Sequence, residues 1–117
     1  MNNRNGIPRA ETNKRPSNPL GLLGLSLRGG RLAVGEEACV QAMRAGKAKL
    51  LLTACDAAGN TLRQAAFWSG KTHTPHISVP FTKAQLGAAL GRASCAVAAV
   101  TDKGLVLAVE KALGESI

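Results

Sequence analysis

The stretch 32–56, LAVGEEACVQAMRAGKAKLLLTACD, limits how this chain can fold more than any other. Leu32, Ala33 and Val34 form a short apolar piece that turns at Gly35. Glu36 and Glu37 come next, where carboxylates meet the positive end of a helix dipole. Cys39, Val40 and Met43 repeat at helical spacing, Arg44 lies near the far end, and Gly46 stops the helix. Lys47 and Lys49 lead into an apolar run, 50–55, with the length of a strand covered on both faces. The pattern is therefore a strand, an exposed glycine turn, a helix whose start points outward, and a central strand. Any function has to be sought around the glycine turn.

The flanking segments supply what such a strand needs. Asn18 and Pro19 open a first helix as N-cap and first helical residue. Leu20, Leu23 and Leu27 line one of its faces, widened by Leu22 and Leu25, and Gly29 and Gly30 end it between Arg28 and Arg31. After a turn at 56–60, Asn60 is expected to cap a helix reaching Ser69, with Leu62, Ala65, Ala66 and Trp68 inward. A loop over 70–75 leads to a short strand over 76–79. Thr82 and Gln85 have capping-box spacing, and Phe81 and Leu86 sit where a hydrophobic staple closes over it. That helix ends near Gly91; a loop at Arg92, Ala93 and Ser94 and a strand over 95–100 follow. Thr101 and Asp102 start the last helix, whose inward stripe is Leu105, Ala108, Val109, Ala112 and Leu113. Helices alternating with short apolar strands predict an α/β sandwich, with helices on both faces of a small sheet.

Residues 1–17 carry Arg4, Arg9, Lys14 and Arg15 against Glu11, with Ile7 as the one sizeable apolar side chain after Met1. Such a segment cannot offset its ordering entropy, so a disordered basic tail is expected there, and a single domain over 18–117. The chain has 15 Lys and Arg against 7 Asp and Glu, a net charge of +8, which points to a polyanionic partner, nucleic acid being the commonest. Aromatic residues are only 3%, too few for the rows of exposed rings used in single-strand recognition; Phe67, Trp68 and Phe81 are expected in the core. Cys39, Cys55 and Cys95 are odd in number, far apart and set in apolar runs. They read as buried, reduced thiols of a cytoplasmic protein, not as metal ligands. No apolar run approaches the ~20 residues of a membrane span, and the start of the chain has no secretory signal pattern.

Catalytic patterns fail one by one. His73 and His76 have no carboxylate or cysteine beside them at ligand spacing. Gly70, Lys71 and Thr72 echo the end of a phosphate loop, but the earlier glycine is missing and the triplet follows a helix. Glu36 and Glu37 are adjacent and diverge by about 100° on a helix, a poor acid/base pair. The expectation is a protein that is not an enzyme and holds neither metal nor cofactor.

Taken together, GLLGLSLRGGRLAVGEE, RAGKAKLLLTACDAAGNT and VPFTKAQLGAALGR followed by AVAAVTDKG resemble the bacterial, YlxQ-like branch of the ribosomal-protein superfamily that binds kink-turn RNA. The resemblance covers roughly 18–113 and implies a three-layer α/β/α sandwich around a four-stranded mixed sheet. It also implies RNA binding at the end of the sheet where Gly35 and the second helix begin. In that family the glycine turn precedes an Asn-Glu pair and, three residues after the Glu, a lysine; these read the sheared G·A pairs beside the RNA bend. The glycine matches at Gly35, whereas the other three positions are Glu37, Ala38 and Gln41. Glu37 can accept from guanine but cannot donate as an amide does, Ala38 has no polar side-chain atom, and Gln41 lacks the phosphate-pairing charge. The family's second contact, the loop before the last strand, corresponds to Arg92, Ala93 and Ser94, and Asp56 starts a turn on the same side.

The resulting candidate contact is Arg31, Gly35, Glu36, Glu37, Ala38, Gln41, Arg44, Lys47, Asp56, Arg92, Ala93 and Ser94. Base-edge specificity falls to Glu37, Gln41 and the 92–94 loop, and phosphate affinity to the arginines and lysines. The expected function is non-catalytic binding of bent or kink-turn-type structured RNA, including ribosomal RNA, by a cytoplasmic monomer. The alternative is an adaptor for ribosome or transcription-machinery proteins that keeps the fold with a degenerate RNA site.

Overall fold

The computed structural model describes residues 18–116; the expected tail over 1–17 lies outside them. The described chain forms α1 (Pro19–Arg28), β1 (Leu32–Val34), α2 (Glu36–Arg44), β2 (Leu50–Thr53), α3 (Gly59–Thr72), β3 (His76–Ser78), α4 (Lys83–Leu90), β4 (Val97–Val100) and α5 (Lys103–Ser116). The local signals hold where they were strongest. Asn18 Oδ1 accepts from the Gly21 N–H with Pro19 in the first turn of α1, and Thr82 and Gln85 complete a capping box at α4. Phe81 and Leu86 both join the core beneath that box.

The sheet is ordered β1-β4-β2-β3, with β1 and β2 antiparallel to β4 and β3 parallel to β2. The two central strands are buried at every residue, as the apolar 50–55 run requires, whereas edge strand β3 is only partly covered. Alternation along β2 divides the core. Leu50 and Leu52 face one apolar cluster with Leu23, Leu86 and Val109; Leu51 faces the other with Cys39, Met43 and Ala65. Helices α1, α4 and α5 cover the first face and α2 and α3 the second, giving the three-layer α/β/α sandwich around a mixed sheet.

Several details differ from the expectations. Helix α3 begins at Gly59 behind Ala58, not at an Asn60 cap, and runs on to Thr72 through the segment expected as loop. A single mid-helix glycine costs about 1 kcal/mol, and Gly70 is offset by hydroxyl bonds closing the helix end. Thr72 Oγ1 donates to the Trp68 carbonyl at 2.7 Å, and Ser69 Oγ donates to the Thr74 carbonyl. Buried Thr61 and Ala65 are the inward residues of α3, while Leu62, Ala66 and Phe67 are exposed. Leu25 of α1 and Ala108 of α5 also face outward. Strand pairing stops at Thr53, so the chain has left the sheet by Cys55, which is exposed; Cys39 and Cys95 are buried as expected.

Candidate nucleic-acid interface

Gly35 has φ 97° and ψ 160°, a backbone region essentially closed to residues with a Cβ. Its N–H donates to the Val97 carbonyl and its carbonyl accepts from the Cys39 N–H, each at 3.0 Å. The turn is thus tied to β4 on one side and launches α2 on the other, and no side chain caps that helix start. Glu36 is turned toward the neighbouring helix, its Oε2 accepting from Thr61 Oγ1 at 2.8 Å. Glu37 is exposed, Ala38 half-buried, and Gln41 exposed one turn further on.

Strand register settles what stands beside this turn. Val34 pairs with Ala98 and Thr53 with Val97, so the ends of β1 and β2 lie next to the start of β4. Asp56, just beyond β2, accepts from the Lys83 N–H at 2.7 Å and so caps the first turn of α4. The 91–94 segment returns from α4 to β4 at the same end. Its Arg92 N–H donates to the Gly87 carbonyl at 2.8 Å, and a Cβ on Gly87 would meet Ser94 Cα at 2.6 Å and the Arg92 carbonyl oxygen at 2.8 Å. Only a glycine there lets the loop lie flat on the helix. Gly35, Glu36, Glu37, Ala38, Asp56, Arg92, Ala93 and Ser94 therefore gather at one end of the sheet, with Gln41 one turn along α2.

Arg31, Arg44 and Lys47 do not join them. Leu32 and Leu50 both pair with Val100, which puts Arg31 and the 47–49 segment at the opposite end of the sheet. The Arg31 carbonyl accepts from the Thr101 N–H at 2.9 Å, and Arg31 Nε lies 3.6 Å from Asp102 Oδ2. Arg44 ends α2. Proximity in sequence misleads here because β1 and α2 each carry the chain from one end of the sheet to the other, about 13 Å.

The cations divide the same way. Near Gly35, Glu36, Glu37 and Asp56 share that end of the sheet with Arg92, with Lys83 in the first turn of α4 and with Arg63 near the start of α3. At the far end Arg28, Arg31, Lys47, Lys49 and Lys103 are countered by Asp102. Burial pushes the Cys39 thiol up to about 12, with Cys95 and Glu36 adding to the effect, and burial also raises Cys95. Burial lowers His76 from its ordinary 6.5. Among the described residues no group of three or more His, Cys, Asp or Glu could hold a metal ion, and no helix is long and apolar enough to cross a membrane.

One cluster escaped the sequence reading. Phe67 and Trp68 on α3 meet edge to face with ring centroids 5.2 Å apart. The Arg44 guanidinium lies 5.4 Å from the Trp68 centroid and Lys71 Nζ 5.9 Å from that of Phe67. Helical spacing carries the signal: Gln64, Phe67 and Lys71 form an exposed stripe along the flank of the buried Thr61 and Ala65.

Comparison with known proteins agrees with this architecture. The model of the ribosomal protein L7Ae/L30e/S12e/Gadd45 family matches residues 20–107. The chain is 34% identical to the RNA-binding protein YlxQ of Bacillus subtilis (strain 168) over 83 residues, 71% of this chain and 82% of that protein. It is similar to a solved protein of unknown function from Bacillus halodurans C, with TM-score 0.75, 30% identity and coverage of 84% of this chain and 98% of the other. The Giardia lamblia 15.5kD RNA binding protein shares the fold, with TM-score 0.63 and 22% identity over 82% of this chain and 80% of its own.

Proposed function

The chain belongs to the ribosomal protein L7Ae/L30e/S12e/Gadd45 family, and from that premise we propose that it is a non-catalytic RNA-binding protein recognising bent, kink-turn-type RNA. In this reading residues 18–117 act as one binding domain of a cytoplasmic monomer, and the RNA seats at the glycine end of the sheet.

The observation that carries the reading is the meeting of Gly35 with the 92–94 loop at one end of the sheet, brought about by the β1–β4 and β2–β4 registers. A backbone turn without a side chain lets a polynucleotide approach closely, and the exposed loop beside it can take bases that a bend turns outward. Relatives of the chain named as RNA-binding proteins support the same conclusion. The departures at three positions change how the RNA is read. Glu37 accepts from guanine amino and imino groups, Gln41 both donates and accepts, and Arg92 pairs phosphate.

The test is a binding titration of a kink-turn RNA beside a straight duplex of equal length at several salt concentrations. The bent RNA is expected to bind more tightly throughout, with both affinities falling as salt rises. Equal affinity would remove shape recognition and leave counterion release alone. One observation favours the second reading, a protein adaptor on this fold: three carboxylates, Glu36, Glu37 and Asp56, stand at the proposed RNA end. Charge reversal by Arg92→Glu, at the proposed RNA end, separates the two. RNA association collapses if the chain binds RNA, and partner capture survives if it is an adaptor.

A further inference from the structure

Helices α2 and α3 pack side by side on one face of the sheet, and both begin at the glycine end. They are linked near their starts by the Thr61–Glu36 hydrogen bond and near their ends by Arg44 over Trp68. Their outward stripes run in parallel: Glu37, Gln41 and Arg44 on one, Gln64, Phe67 and Lys71 on the other. Charge changes along this double stripe from acidic at the glycine end to basic at the far end. Neither 41–47 nor 62–72 contains a carboxylate, and Arg44, Lys47 and Lys71 lie within them.

Among these cations sits Phe67, 59% exposed. A chain with only two phenylalanines and one tryptophan places one of those rings on its surface, braced edge-on by Trp68 and flanked by Lys71. Core packing does not call for it, since Thr61 and Ala65 are the buried residues of α3. An exposed ring beside Lys71, on helix segments that carry cations and no carboxylate, matches the chemistry of a polynucleotide, a π face for a base and positive charge for the phosphates beside it. The base must be unpaired, because the faces of paired bases are already covered within the stack.

We propose that the far half of the α2/α3 face is a second RNA contact, where Phe67 stacks one unpaired base and Arg44, Lys47 and Lys71 hold the flanking phosphates. It lies about 13 Å from the glycine turn along α2 and does not depend on the reading of that turn. The scarcity of aromatics excludes a row of stacked bases but leaves room for one. An RNA with an unpaired strand beside a bend would then be gripped at both ends of the same helix pair.

The test uses the full chain and an oligouridylate of about ten nucleotides, a length within the range of single-strand sites. Trp68, the one tryptophan, reports the contact through its emission. Phe67→Ala is expected to weaken binding about 5- to 150-fold, the range for loss of one base stack. Phe67→Leu, which keeps apolar area but not the ring, weakens it comparably, and Phe67→Tyr, which keeps an aromatic face without adding a second tryptophan, preserves it. Lys71→Gln lowers the salt dependence, log affinity against log salt, by about 0.7. Binding by Phe67→Ala and Phe67→Leu equal to that of the native chain overturns the proposal. So does full rescue by Phe67→Leu, which would assign the ring to an apolar contact such as a protein partner's. Circular dichroism of each variant confirms the fold, which an exposed side chain does not support.

Discussion

At Gly35 the chain adopts φ 97° and ψ 160°, while a Cβ built there would meet nothing within 4 Å. Gly35→Ala is therefore opposed by backbone conformation alone, at about 1–3 kcal/mol. A thermal melt is expected to move down by about 4–8 °C for each kcal/mol; an unchanged melting temperature would mean the turn is not held as described. His76 offers a pH test. Its Nε2 shares a hydrogen bond with buried Thr53 Oγ1 at 3.0 Å, and burial holds its pKa below 6.5. A histidine kept neutral in the fold binds fewer protons there than when unfolded, so its stability is present above 6.5 and lost as pH falls through the folded value. The urea midpoint is expected to fall as pH drops below 6.5, ahead of the carboxylate range, and His76→Gln to flatten that fall. Gly35 was legible in the sequence because a glycine between an apolar piece and a Glu-Glu start admits few geometries. Cys55 was not, because the apolar run continues past the last paired residue and composition does not say where pairing stops.

Elements were read best where one local interaction decides them. Asn18 with Pro19, and Thr82 with Gln85, fix helix starts by hydrogen bonds within four residues, and the structure holds both. Gly70 reads as a stop after Ser69, but the hydroxyls of Ser69 and Thr72 bond carbonyls at the helix end, a side-chain contribution that a glycine signal does not reveal, and α3 continues past it. The apolarity of Leu62 and Leu25 predicts inward positions, yet the faces of α3 and α1 that are buried are those of Thr61 with Ala65 and Leu23 with Ser26. The contact between α4 and the 92–94 loop gives this scale its own test. A methyl group at Gly87 meets backbone atoms of Arg92 and Ser94 that no rotamer change can move. Gly87→Ala is expected to destabilise the fold by about 1–3 kcal/mol through overpacking and to weaken RNA binding by displacing the loop. A denaturation midpoint unchanged from the native chain would show that the loop stands off the helix.

Across the whole molecule the sheet has two chemically different ends. The resemblance points to one end because its motif surrounds Gly35, and strand register brings the 92–94 loop to that end over a long sequence separation. It could not assign Arg31, Arg44 and Lys47, because closeness in sequence is undone whenever a strand or helix intervenes. Among the described residues the cations are thus not centred on the glycine turn. The turn offers shape and a few polar groups, and the far end offers charge. Backbone amide shift mapping with a compact kink-turn RNA lacking single-stranded tails tests this division most directly. The expected result is perturbation of Gly35, Ala38, Gln41 and the 92–94 loop. Shifts confined to Arg31, Lys47 and Lys103, with the Gly35 cluster silent, would contradict it.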